Sequence, residues 1–154
     1  MTLNEAIKIQ ADFLKWQANT SHSIKLMYYK DLNNVWLTDG MMAAKMPSEF
    51  YMLNIQQERA NIMNYSKIPD DAIKALVTYI EWKSKGPNTY VMIKGLRKHN
   101  DVVMWAEKKY LEAFGKKYDL YISSDGRKLW LTEPETRNVV GVIAGVRGIK
   151  MQER

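Results

Sequence analysis

Val35-Trp36-Leu37-Thr38-Asp39-Gly40-Met41-Met42-Ala43-Ala44-Lys45-Met46-Pro47 reads as two β-strands joined at a tight turn. An Asp-Gly pair between apolar runs is a strong short-range hairpin signal, because glycine takes the positive φ that such turns require. Pro47 closes the unit, since proline cannot donate to a continuing ladder. Upstream, Ile24 to Tyr29 is apolar and aromatic, and Asp31-Leu32-Asn33-Asn34 is turn chemistry. The stretch therefore extends to a three-stranded meander. Residues 3–18 precede it as an amphipathic helix. Ala6, Ile9, Phe13 and Trp16 recur at helical spacing, Glu5, Lys8, Asp12 and Lys15 share another face, and Thr2 or Asn4 serves as cap.

The C-terminal third has the same order. Ala106 to Phe114 is helical, with Gly115 as its stop. Val102 to Trp105 is a short strand or the first turn of that helix. Tyr118 to Ile122, Leu129 to Thr132 and Val139 to Ile149 read as strands around the turn Ser123-Ser124-Asp125-Gly126. Gly141, Gly145 and Gly148 interrupt the last strand, and no Gly-Lys-Ser/Thr follows, so bulges or close packing explain them better than a phosphate loop. Val35-Trp36-Leu37-Thr38-Asp39 matches Leu129-Trp130-Leu131-Thr132-Glu133, and counting back without a gap sets Leu26 on Leu120. The expected fold is α+β: one domain over residues 1–154, with two pseudo-repeated units of a helix plus an antiparallel β-meander, 3–47 and 101–149, joined by 48–100. In the join, Phe50 to Leu53 is expected as a strand and Gln56 to Met63 as a short helix. Pro69-Asp70-Asp71 is read as opening a helix over Ala72 to Trp82, because proline and acids suit a first turn. Val77-Thr78-Tyr79-Ile80 within it has strand character. Tyr90 to Ile93 is a strand.

A helix followed by a strand meander, present twice, resembles the domain of DNA sliding clamps. Leu37-Thr38-Asp39-Gly40 followed by Met42 to Pro47 is similar to the strand–turn–strand after that family's first helix, and Val140 to Arg147 is similar to its closing strand. The resemblance covers about half the chain. It implies a clamp-like, non-enzymatic DNA accessory of the kind phages and mobile elements encode, with Lys8, Lys15, Lys108 and Lys109 on channel-facing helices. The chain departs from the family in having room for one such domain, and in carrying Glu133-Pro134 where the first unit has Asp39-Gly40.

Charge points the same way. The net charge is +6, and residues 83–117 carry nine Lys and Arg against three acids, so this stretch accounts for the whole excess. A concentrated basic segment is the electrostatic footprint of a nucleic-acid site. The residues expected to contact DNA are Lys83, Lys85, Lys94, Arg97, Lys98, Lys108 and Lys109, with Trp82 and Trp105 beside them as stacking candidates. The alternative is a solvated lysine-rich surface. A second binding reading uses the Trp- and Met-rich hairpins, with Met41, Met42 and Met46 beside the turn, as a surface for a protein partner; Trp16, Trp36 and Trp130 are read as core.

Other chemistries are narrowed by composition. The chain has no cysteine, which excludes disulfides, thiol nucleophiles and thiolate metal sites. His22 and His99 stand alone, with no acid and nucleophile arranged around them. Pro69-Asp70 followed by Glu81-Trp82-Lys83 matches the loose pattern of Mg²⁺-dependent nucleases, which would need 76–83 to be a strand. Helix-start acids are the plainer account of Asp70 and Asp71. No cofactor is expected. The longest apolar run is far below the roughly 20 residues of a membrane span. Met1 to Ala6 has neither a basic start nor an apolar core, so a cytoplasmic location is expected.

Overall fold

The computed structural model describes residues 1–19, 26–55, 65–96 and 102–146. The fold is α+β. Helix α1 (Leu3–Asn19) precedes strands β1 (Met27–Lys30), β2 (Asn34–Thr38) and β3 (Met42–Pro47). Strands β4 (Ile73–Lys83), β5 (Thr89–Gly95) and β6 (Val103–Glu107) follow, then helix α2 (Lys108–Phe114) and strands β7 (Asp119–Ile122), β8 (Lys128–Thr132) and β9 (Val139–Ala144). Among the described residues the nine strands form one antiparallel sheet in the order β1-β2-β3-β9-β8-β7-β4-β5-β6. No described helix is long and apolar enough to cross a membrane.

The hairpin at Asp39-Gly40 forms as expected. Gly40 takes φ +92°. One Asp39 carboxylate oxygen accepts the backbone N–H groups of Met41 and Met42, both at 2.9 Å, and the Thr38 hydroxyl accepts that of Gly40 at 3.0 Å. Thr2 caps α1. Its hydroxyl accepts the Glu5 N–H at 3.2 Å while the Glu5 carboxylate accepts the Thr2 N–H at 2.8 Å, a reciprocal capping box.

The two meanders meet at β3 and β9, which pair Met42 with Ile143, Ala43 with Val142 and Ala44 with Gly141. One transverse row thus runs Tyr28, Leu37, Ala44, Gly141, Leu131, Leu120 across six strands and continues to Ala75 and Gly95. The two helices pack against the face of the sheet that this row occupies, and the row narrows to alanine and glycine. A methyl group on Gly141 would overlap the Phe114 ring of α2. Strand alternation sends Leu37, Ala44, Met46, Leu129, Leu131 and Ile143 into the main core with Ile9 and Phe13. The opposite face holds a second cluster of Trp36, Ala43, Trp130, Val139 and Val142, flanked by Tyr65 and Ile68.

Residues 73–83 form a strand, which corrects the helix expected over 72–82. Burial passes from Ile73 and Ala75 on one face to Thr78, Ile80 and Trp82 on the other, so the covered side of the strand changes midway. A bulge lies at the change. Thr78, Tyr79 and Ile80 together stand opposite Met92 of β5, and the two extra residues leave the alternation in step. The Thr78 hydroxyl donates to the Met92 carbonyl at 2.8 Å and accepts the Ile80 N–H at 3.1 Å, supplying the bonds the ladder loses. A change of covered face defeats both period-2 and period-3.6 counting over a window this short. Elsewhere, residues 48–50 form a 3-10 turn and 51–55 are irregular, in place of the expected strand at 50–53. The buried Gln10 amide holds this segment, donating to the Phe50 carbonyl at 2.8 Å and accepting the Met52 N–H at 2.7 Å. The expected helix at 56–63, and His22, His99 and Gly148, lie outside the described residues. Strands β4 and β5 belong to the same sheet as the meanders, so 48–100 supplies structure rather than a plain join. At the far edge β6 turns back onto the chain beyond β9, where the Val146 N–H donates to the Trp105 carbonyl at 2.7 Å.

Two polar contacts tie α1 and α2 to the rest. The Tyr110 hydroxyl donates to Asp39 at 2.7 Å, and burial followed by the Asp39 charge pushes that phenol well above its usual range. Glu5 accepts from Lys117 at 2.8 Å and from the Tyr118 hydroxyl at 2.7 Å. Burial raises the Glu5 carboxyl, but the bonds from Lys117, Thr2 and Tyr118 outweigh it and hold the group at about 2 against an ordinary 4.5.

Two outcomes follow. Gly141→Ala should destabilise the protein by about 1–3 kcal/mol in urea unfolding, with Phe114→Leu in the same chain recovering part of the loss. Because Glu5 is depressed on folding, its contribution is complete above pH 4.5 and is lost as pH falls from there toward 2. Glu5→Gln should therefore flatten the dependence of melting temperature on pH across that window.

Candidate nucleic-acid interface

The seven expected DNA contacts divide into three groups. Lys83 ends β4 and Lys85 stands in the turn that leads to β5; both are exposed. The Ser84 N–H and hydroxyl both donate to the Asn88 carbonyl, at 3.1 and 3.0 Å, and this closes the turn. Lys108 and Lys109 are the first two residues of α2. Pairing of Lys83 with Thr89 and of Tyr90 with Glu107 brings these four lysines to one end of the β4–β5–β6 meander. Lys94 sits toward the opposite end of β5, between Leu76 and Val103. Five residues of strand, about 17 Å, separate it from Thr89. Arg97 and Lys98 lie outside the described residues.

A depression of about 160 Å³ lies where the hairpin meets α2, lined by Pro87, Asn88, Thr89, Glu107, Lys108, Lys109 and Glu112. Beside it Trp82 and Tyr90 face each other across the strand pair, ring centroids 5.5 Å apart at 30°, both half-buried. The Asn88 amide donates to the Tyr90 hydroxyl at 3.4 Å.

Several of the lysines already have partners. Lys108 is 3.0 Å from Glu81, whose carboxylate holds the ammonium above its ordinary value of 10.5. Lys109 is 3.4 Å from Glu107 and lies over the rings of Trp16 and Tyr110, at 5.3 and 5.1 Å from their centroids. Lys117 is bound to Glu5. Lys83, Lys85 and Lys116 have no ion-pair partner among the described residues. Of the two lysines on α1 in the clamp-like assignment, Lys8 pairs with Asp12 at 2.9 Å and donates to the Glu112 carbonyl of α2 at 3.1 Å, while Lys15 is exposed.

Other expectations meet the structure as follows. Trp105 is buried, which removes it as a stacking surface; its neighbour in β6, Ala106, is fully enclosed by the main core. Trp36, Met42 and Met46 are also buried, because alternation turns them into the two clusters. Of the hairpin residues proposed to meet a protein partner, Met41 alone is half-exposed. Residues 76–83 form the strand that the nuclease pattern requires, yet eight residues, about 26 Å, separate Ile73 from Glu81, with Asp70 further back. Among the described residues no three His, Asp or Glu side chains stand close enough to share a metal ion.

Sequence reading overlooked Tyr79. It sits on the bulge of β4 and is fully exposed, with Leu76 and Val77 each 43% exposed beside it. Its signal was the change of covered face: Ala75 is buried in one row of the strand, whereas Thr78, Ile80 and Trp82 are half-buried in the other. No family model, curated protein sequence or solved structure matches this chain.

Glu81→Gln should return the Lys108 ammonium toward its ordinary value, read by NMR titration of the labelled lysine. The melting temperature should hardly change, because the pair is solvent-exposed.

Proposed function

We propose that this protein is a non-enzymatic DNA-binding accessory that grips the phosphate backbone with the end of the β4–β5–β6 meander. One observation carries the reading: Lys83, Lys85, Lys108 and Lys109 converge there around a polar depression and an aromatic pair. Phosphates would meet Lys83 and Lys85 directly and would draw Lys109, which remains within reach of solvent, away from Glu107, while Lys108 stays paired with Glu81. Contact of this kind is largely independent of sequence and depends strongly on salt.

The architecture of the proposal is clamp-like. We read α1–β1–β2–β3 and α2–β7–β8–β9 as two copies of one unit joined about the Ala44–Gly141 pair. Supporting this, Trp36 and Trp130 occupy the same place in β2 and β8 and share one cluster, and Leu37 and Leu131 flank the central pair symmetrically. The units match with two extra residues in the turn at 123–127, so Leu26 corresponds to Tyr118, both buried, rather than to Leu120.

A second reading is a protein-interaction module, favoured by one feature of α1. Leu3, Ile7 and Leu14 are each at least 40% exposed, and helical spacing lines them up beside the core face.

Fluorescence anisotropy with a labelled DNA duplex at two salt concentrations tests the DNA reading. Binding should weaken steeply with salt, and Lys83→Ala with Lys85→Ala should lower the slope of log K against log salt by about 2. Absence of binding at low salt would move the function to the α1 surface.

A further inference from the structure

We infer that β4 is a track for single-stranded nucleic acid, with Tyr79 as its stacking platform. The inference rests on the DNA reading above and names the form of the polymer that this surface takes.

The starting point is an aromatic side chain with nothing against it. Tyr79 is 104% exposed in the middle of an 11-residue strand. A phenol ring ordinarily contributes by burial, and in a strand it would pack across to its neighbour. Here it stands on the bulge, between exposed Val77 and Glu81 on a face that nothing described covers, and two hydrogen bonds through Thr78 fix the bulge. Bulges commonly re-aim a side chain. They also protect sheet edges, and β4 has such an edge: β7 pairs only with Ile73 to Ala75, so 76–83 have a strand neighbour on the β5 side alone among the described residues. Protection, though, is served by charge or proline. An outward tyrosine flanked by half-exposed Leu76 and Val77 would make the edge stickier.

Charge selects the partner. Lys83 and Lys85 lie four and six residues after Tyr79. At about 3.3 Å per residue they stand roughly 13 Å or more from the ring along the strand; Lys74, paired with Tyr121, faces the other side of the sheet. The acid on this part of the strand, Glu81, is taken up by Lys108. At the near end, Asp71 accepts from the Ser124 hydroxyl, and Asp70 stands beside it before the strand starts. A ring exposed beside cations suits a polyanion that offers flat apolar faces. Single-stranded DNA or RNA does so, whereas a duplex keeps its bases stacked on one another.

The test compares fluorescein-labelled dT12 with a 12-base-pair duplex in anisotropy titrations at low salt. Tyr79→Ala should weaken dT12 binding about tenfold, the usual scale for losing one base–aromatic stack, and should leave duplex binding within about twofold. Tyr79→Phe should bind dT12 like the unaltered protein. An oligonucleotide carrying 5-iododeoxyuridine should cross-link to the peptide that contains Tyr79. Because Tyr79 is fully exposed, an unchanged melting temperature in Tyr79→Ala will confirm that the fold is intact. If Tyr79→Ala binds dT12 normally while Lys83→Ala with Lys85→Ala does not, stacking is overturned and phosphate contact stands. If the unaltered protein binds neither DNA, both readings fall, and the exposed ring belongs to a protein contact.

Discussion

The pairing of Ala44 with Gly141 is the contact on which the architecture depends. Two three-stranded meanders, each too small to bury its own apolar face, become one sheet at this seam. The seam must be thin, because α2 lowers Phe114 onto it. Its register is equally constrained. A one-residue slip of β9 against β3 would disturb the alternation that sends leucines to the helices and tryptophans to the other face. With both faces filled, by the main core and by the Trp36–Trp130 cluster, the slip has an energetic cost on each side.

The parts of this arrangement that sequence reveals are those set by neighbours in the chain. The Asp39-Gly40 turn, the α1 core face and the strands at 119–122 and 128–132 all follow from local chemistry. Strand β4 was hidden because two local signals competed. Pro69-Asp70-Asp71 imitates a helix start, and the covered face changes from Ala75 to Thr78, Ile80 and Trp82, which blurs the alternation that would have marked a strand. Only pairing with Met92, fourteen residues away in the chain, settles the matter. The lysines of the site were legible as charge. Their condition was not, since Glu81 and Glu5 reach Lys108 and Lys117 from elsewhere in sequence. Trp105 resembled a base-stacking residue by composition alone and is buried by its place in β6.

The basic segment therefore performs two kinds of work. Lys109 and Lys117 help hold the fold, the first over the Trp16 and Tyr110 rings and the second on the Glu5 carboxylate that also caps α1. Lys83 and Lys85 extend from a hairpin end with no such role. Net charge draws a polyanion toward the molecule, but local pairing decides which cations meet it at close range. By that measure Lys83 and Lys85, with no ion-pair partner among the described residues, are the cations of the hairpin end open to such contact.

Tyr79 brings fold and function into the same strand. The bulge has a structural reason of its own: it takes up two extra residues of β4 against Met92 and leaves Ala75 and Trp82 on the opposite faces to which their partners Gly95 and Tyr90 belong. That reason explains why Thr78 occupies its place, with a hydroxyl able both to donate and to accept within the broken ladder. It does not explain the residue that follows. A serine, asparagine or lysine at 79 would fit the bulge and would keep the open edge soluble. The aromatic ring adds nothing to the packing and leaves apolar surface in water, a cost that a partner stacking on it would offset.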